Sequence, residues 1–337
     1  MASGSIAAEP RSEPRVGAQR PFPQSRTPLP RQEAPISASH ARRSGPEDAA
    51  PVDHDALREY VALIIAYRDP ELVAEVLEQL AAQTQAPRLA LIVDNGGTLE
   101  PADLEGWPLA DRARLISRPD NPGYGAAVNE AQAHLDDSAL LVLTHDAVFG
   151  PELAERLLSA LKSRADAGAA GPILHFASDP DRVFSAGGRL SPSGVAAPVL
   201  RALSADPYPV DWLEGAIVMH SPRALRAIGW LAEDYFLYFE DVDTGWRLAR
   251  AGWRSIVEPS AIAYQEPGGH PTYLGMRNMA LFSRKAGISA PRSLLAAARR
   301  GFRVIVGRLR RGRSPEVLEV WRGWRDGRAG ISGRPTR

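Results

Sequence analysis

Residues 57–285 predict an α/β fold, a mostly parallel sheet covered by helices on both faces. Apolar runs of strand length alternate with segments whose apolar residues recur at helical spacing, and the connections between them are short. The chain has 337 residues and is 44% apolar, enough for one large α/β domain with appendages. In such a sheet ligands sit beyond the carboxyl ends of the strands, so the polar residues there are the candidates for chemistry.

The elements follow in order. Residues 61–66 are an apolar strand. Residues 70–83 carry Leu72, Val73, Val76, Leu77 and Leu80 at helical spacing. Residues 89–93 form a second strand and 113–116 a short third. A helical pattern over 124–135 leads to a buried strand at 140–143. Residues 151–162 form a helix with proline in its first turn. A further apolar run occupies 169–174, and the helix that begins near Glu240 stops at Gly252. No internal repeat of fixed period is present.

The segments that flank this core differ from it in composition. Residues 1–56 are rich in Pro, Ser, Ala, Arg and Glu without apolar periodicity, and are expected to be a disordered tail. Residues 286–337 are expected to form a basic amphipathic extension. From Arg284 onward fifteen Lys/Arg face three acids, interleaved with Phe302, Val304, Ile305, Val306 and Leu309.

Several classes are excluded or disfavoured. The absence of cysteine excludes a disulfide framework, a Cys-based zinc site, a thiol nucleophile and an iron–sulfur centre. Lys+Arg and Asp+Glu both number 40, which argues against a nucleic-acid-coating protein, and no nucleic-acid partner is expected. No apolar run is long enough to span a bilayer, and the first residues lack an apolar core of signal-peptide type. A cytoplasmic protein is the expectation.

Four polar clusters stand at the predicted strand ends. The first strand runs into Ala66-Tyr67-Arg68-Asp69, and the second into Asp94-Asn95-Gly96-Gly97. A carboxylate at that position can accept hydrogen bonds from a nucleobase or ribose, although the same tripeptide also makes an ordinary turn. Asp120 to Asn129 reads DNPGYGAAVN. Its glycines at a helix start allow a phosphate or sugar to approach the backbone, or open a plain helix. The buried strand at 140–143 delivers Asp146, which is either a cation ligand beside phosphates or a turn residue. Finally, YFLYFEDVD places Glu240 and Asp241 directly after a run of aromatics. Acids in a first helical turn suit the helix dipole, and a carboxylate against apolar walls makes a good general base.

These blocks, with LIVDNGG, LVLTHDA and the later GMRNMALFSRK, resemble in register the inverting family 2 glycosyltransferases of GT-A fold over about residues 60–285. The form with YFEDVD and a following RN helix is most similar to bacterial rhamnosyl- and galactofuranosyl-type transferases of cell-surface glycan assembly. The resemblance implies a nucleotide-sugar donor, a glycan or lipid-linked acceptor and Mg²⁺ or Mn²⁺. It implies that Asp241 is the catalytic base with Glu240 beside it. It places Ala66, Tyr67, Asp94, Gly123, Gly125, Asn129, His145, Trp212, Glu214 and Gly215 around the donor, and Asp146 on the metal.

Three departures from the family pattern stand out. The D-x-D element reads Thr144-His145-Asp146, without its first acid. Tyr67 is followed by Arg68 where Asn is usual. Gln265 occupies the place of a metal-associated histidine, with His270 near enough in sequence to substitute as a ligand or to be a plain loop histidine. The alternative implied is a non-catalytic nucleotide-sugar or glycan-binding subunit on the same fold. The basic extension is expected to hold the protein on an anionic membrane surface, at the inner face of the cell membrane.

Overall fold

The computed structural model describes residues 57–335 other than Pro267 and His270. The tail expected over 1–56 and the ligand expected at His270 lie outside the described residues. The chain runs β1 (Tyr60–Ala66), α1 (Pro70–Ala81), β2 (Leu89–Asp94), β3 (Ala113–Ser117), α2 (Tyr124–Asn129), β4 (Ala139–Thr144), β5 (Val148–Phe149) and α3 (Leu153–Lys162). It continues through β6 (Ala167–Phe176), β7 (Asp179–Ser185), β8 (Gly188–Leu190), β9 (Ala196–Pro198), β10 (Tyr208–Val210), β11 (Ile217–His220) and α4 (Pro222–Ile228). Then come α5 (Glu240–Arg250), β12 (Arg254–Gln265), α6 (Thr272–Lys285), α7 (Ala290–Arg310) and α8 (Val317–Ala329).

The main sheet has the order β10-β12-β6-β11-β4-β1-β2-β3, with β5 on β12 and β7 on β6. One half agrees with the sequence expectation: β3, β2, β1 and β4 are parallel neighbours. The other half keeps β12 parallel to β6 and adds antiparallel strands. β11 is antiparallel to both β4 and β6, β10 is antiparallel to β12, and β7 turns back on β6. Only residues 177 and 178 separate β6 from β7, too few for the helical crossover that parallel pairing needs. The sheet is therefore mixed.

Alternation along β1 builds both layers of the core. Ala62, Ile64 and Ala66 pack with Val73, Val76, Leu77 and Leu80 of α1 and with Leu157 and Leu161 of α3. Val61, Leu63 and Ile65 face the other way, onto Ala127 and Val128 of α2 and Leu225 of α4. Both faces are dry, so strand ends rather than faces are left for polar work. The parallel register sets Ala66 beside Asp94 and Ile65 beside Thr144, which gathers three loops at one edge.

The basic extension is two helices that continue the fold. Glycines let α8 lie directly on α6. A Cβ on Gly323 would stand 2.6 Å from the Tyr273 carbonyl oxygen, and one on Gly327 2.1 Å from that of Arg277. Ala297 of α7 joins Trp212, Phe239, Met276 and Phe282 in a third apolar cluster.

Candidate active site

At the ends of β1 and β2 the side chains mostly build the loops. Ala66 is buried and its carbonyl accepts the Asn95 N–H at 2.9 Å. Tyr67 is exposed, with the Arg68 guanidinium 4.8 Å from its ring centroid. Asp94 is fully buried, and its carboxylate accepts N–H groups from Gly96 at 2.8 Å, Thr98 at 2.6 Å and Leu99 at 2.8 Å. The turn reading of this tripeptide thus describes its geometry, and a nucleobase would have to share these oxygens.

The glycine-rich block does different work from that expected. A Cβ on Gly123 would lie 2.3 Å from the Phe236 carbonyl oxygen, and one on Gly125 2.4 Å from that of Ala232. Asn129 donates to the Leu231 carbonyl at 3.0 Å and to Glu233 at 2.7 Å, and accepts from the Leu231 N–H. Gly123, Gly125 and Asn129 therefore seat the 231–236 segment. The block's residue on the cleft is Tyr124, whose hydroxyl donates to the Gly215 carbonyl.

That cleft has a cavity volume of about 330 Å³ and is bordered by Tyr124, Thr144, Trp212, Glu214, Gly215, Glu240, Asp241 and Gln265, among others. Three acids meet at its wall. Asp241 is half-buried, and burial pushes its carboxyl up to about 6 against N–H donors from Val242 and Gly215. Glu240 is buried, its Oε2 without a partner among the described residues; burial, then the Asp241 charge, hold it well above the carboxylate range. Glu214 rises to about 8 for the same two causes. Burial thus favours the protonated forms of all three acids, and of the three Asp241 is raised least in absolute pKa.

The turn before these acids is strained and tied down. Phe236, Tyr238 and Phe239 have φ of 66°, 70° and 78°, a region that side chains disfavour. Asn278 of α6 donates to the carbonyls of Tyr235 at 3.1 Å, Leu237 at 2.8 Å and Tyr238 at 2.7 Å. The fully buried Arg277 adds a bond to Tyr235 O at 2.7 Å and another to Gly333 O at 2.7 Å. The RN pair of the sequence thus sets where Glu240 and Asp241 stand.

At the end of β4, Asp146 accepts from Gln265 Nε2, which also reaches Thr144 Oγ1 at 3.2 Å. His145 points to β1: its Nδ1 lies 3.2 Å from the Ile65 carbonyl and its Nε2 3.8 Å from Asp69. Trp212 is buried over Gly188 and forms one wall of the cleft. Among the described residues no group of three His, Cys, Asp or Glu is arranged to hold a metal ion. Arg300 of α7 also borders the cleft, a residue that composition alone does not distinguish from the other arginines of the extension.

Comparison with known proteins gives the family and the fold. A family model described as glycosyltransferase like family 2 matches residues 58–286. The N-acetylglucosaminyl-diphospho-decaprenol L-rhamnosyltransferase of Mycobacterium tuberculosis (strains CDC 1551 / Oshkosh and ATCC 25618 / H37Rv) is 30% identical over 228 residues, 58% of this chain and 72% of that protein. Among solved structures, GalNAc-T7 with UDP, GalNAc and Mn²⁺ matches with TM-score 0.51 at 11% identity, over 67% of this chain and 47% of that one. S. aureus TarS matches with TM-score 0.50 at 13% identity, over 66% of this chain and 39% of that one. The chain thus spans less than half the length of those two structures, and the likeness to them is one of fold. The family match covers the strand ends, the acid cluster and the helix that positions it, and this chain belongs to glycosyltransferase like family 2.

Proposed function

We propose that this chain, by its family an inverting nucleotide-sugar glycosyltransferase, moves a sugar of rhamnosyl type onto a hydroxyl of a lipid-linked glycan acceptor. The observation that carries the reading is the Asp241 carboxylate at the cleft wall beside Glu240 and Glu214, in surroundings whose burial raises all three acids. A group with a pKa about one unit below neutral is both mostly ionised and basic enough to take a hydroxyl proton. The relative acting on a decaprenyl-diphosphate sugar points to the acceptor class.

In the reaction the acceptor oxygen attacks the anomeric carbon while Asp241 takes its proton. The bond from that carbon to the donor's phosphate oxygen breaks, and its electron pair leaves on the diphosphate. A single displacement inverts configuration. Asp146 and Thr144 offer hard oxygen donors, which fits Mg²⁺ or Mn²⁺ shared with phosphate oxygens and water. Such an ion, when bound, supplies charge neutralisation at the leaving group. The experiment is a panel of nucleotide sugars with a short polyprenyl-diphosphate N-acetylglucosamine acceptor. Transfer of a 6-deoxyhexose with inversion supports the reading, and donor binding with no transfer to any acceptor favours a binding subunit.

The extension supports a place for this reaction. Leu294, Leu295, Phe302 and Leu309 of α7 and Leu318 and Trp321 of α8 are exposed, as are Arg299, Arg303, Arg310 and Arg311. Each cation near an anionic surface contributes about 1 kcal/mol, and inserted apolar side chains add to it. This face rests on the inner face of an anionic membrane, where a lipid-linked acceptor presents its sugar. Among the described residues no helix is long and apolar enough to cross a membrane. Co-sedimentation with phosphatidylglycerol vesicles at low salt tests it: the full chain pellets and a Phe302→Ser, Leu309→Ser variant remains in solution, whereas a parent that stays soluble contradicts it.

A further inference from the structure

The buried residues of α7 are Ser293, Ala296, Ala297 and Gly301, and the half-buried Arg300 stands on the same face, three, four and seven residues beyond Ala297, Ala296 and Ser293. Four of these are small and pack on the fold; Gly301 sits so close to Val320 that a Cβ there would stand 2.6 Å from Cγ1. Arg300 alone is long and charged. Its guanidinium reaches the first turn of α6, with Nη2 3.4 Å from the point where a Cβ on Gly275 would be, and it borders the same cleft as Glu240 and Asp241. No hydrogen bond or ion pair holds it among the described residues, in contrast to Arg277 on the neighbouring helix, which has three partners. Burial lowers its pKa, and the charge that adds to this is another cation, Arg303. A half-buried guanidinium at the wall of a cleft, with no protein partner among the described residues, is free to pair with what enters. An anion is the partner its charge suits.

The cleft's chemistry indicates which anion. The strand-end element Thr144-His145-Asp146 offers a single acid, Asp146, and Gln265, a neutral side chain, stands beside it. Charge developing on a departing diphosphate therefore meets few protein cations or metal ligands at the strand ends. A guanidinium matches phosphate oxygens with two parallel N–H donors and keeps its charge at all working pH values.

We propose that Arg300, carried in by the C-terminal helix beyond the family match, is the diphosphate-binding cation of this cleft. The inference rests on the glycosyltransferase reading, in which both substrates carry that group, the donor as its leaving group and the acceptor as its lipid linkage.

Calorimetric titration of the full chain and of Arg300→Ala and Arg300→Lys tests it. The probes are UDP, dTDP and GDP, each against its monophosphate, and farnesyl diphosphate against farnesol. The melting temperature of each variant is measured alongside. Arg300→Ala is expected to melt like the parent and to lose about 10–100-fold in affinity for a diphosphate probe, the factor of a charge-assisted bond, with the monophosphate less affected. Arg300→Lys should recover part of it. Loss confined to the nucleotides assigns the site to the donor, and loss confined to farnesyl diphosphate assigns it to the acceptor. Parent-like affinity of Arg300→Ala for every diphosphate that the parent binds overturns the assignment to Arg300 while leaving the glycosyltransferase reading intact. A parent that binds none of the probes overturns both.

Discussion

Gln265 donates from Nε2 to both oxygens of Asp146, at 3.2 and 3.3 Å. The bond joins the end of β12 to the loop after β4, although β6 and β11 lie between those strands in the sheet. The two residues are 119 apart in sequence, and their contact fixes the one acid left in the strand-end element. An amide in this place orients the carboxylate without adding a charge or a titration.

A supporting contact of this kind is worth measuring by its loss. Gln265→Ala is expected to lower turnover about 10–100-fold, the range for partners that orient a metal ligand. Asp146→Ala is expected to abolish chelator-sensitive turnover with the melting temperature little changed, because Asp146 is outside the core clusters. Kinetics against Mn²⁺ concentration check both. Full turnover of the parent in excess chelator contradicts the metal role.

Asn278 carries the next prediction. Its amide serves three carbonyls of the left-handed turn, and each buried acceptor left unpaired costs about 1–3 kcal/mol. Asn278→Ala should melt well below the parent. At a temperature where it is folded it should lose kcat more than donor affinity, since it moves Asp241 rather than the nucleotide site. Parent-like kcat in a folded Asn278→Ala would detach the turn from catalysis.

The acid cluster predicts two pH dependences. As Asp241 ionises with a pKa of about 6, kcat/KM should rise from pH 5 to pH 7, the apparent value belonging to the three acids together. Asp241→Asn should remove that limb. The stability effect has the opposite sign. Glu214 at about 8, Glu240 and Asp241 all titrate above their unfolded values, so the fold favours their protonated forms. That stabilisation is complete below the unfolded carboxylate range and is lost as pH rises through about 6 to 8. Melting curves between pH 5 and pH 9 should show Glu214→Gln gaining on the parent as pH rises; a constant difference would contradict it.

Much of this was legible in the sequence, for identifiable reasons. β1, β2 and β4 are continuous apolar runs, and their ends at Ala66, Asp94 and Thr144 follow from where the runs stop. Asp241 and Glu240 were legible because aromatics precede them. The antiparallel half was not: β10 has three residues and β11 four, too few for any period. Gly123, Gly125 and Asn129 were ambiguous because small residues at a helix start suit a ligand and a packed loop equally. The loop that decides, 231–236, lies about a hundred residues on. Tyr124 had no signal beyond its place between two glycines. Arg300 was hidden among similar arginines, and only the stripe of Ser293, Ala296, Ala297 and Gly301 marks it as the one turned inward.

The most direct test of the account is the turnover number of Asp241→Asn, measured with a nucleotide sugar that the parent transfers. The account predicts a fall of about 10²–10⁴, the cost of removing a positioned general base, with the affinity for the nucleotide diphosphate unchanged. Turnover equal to the parent's would contradict it.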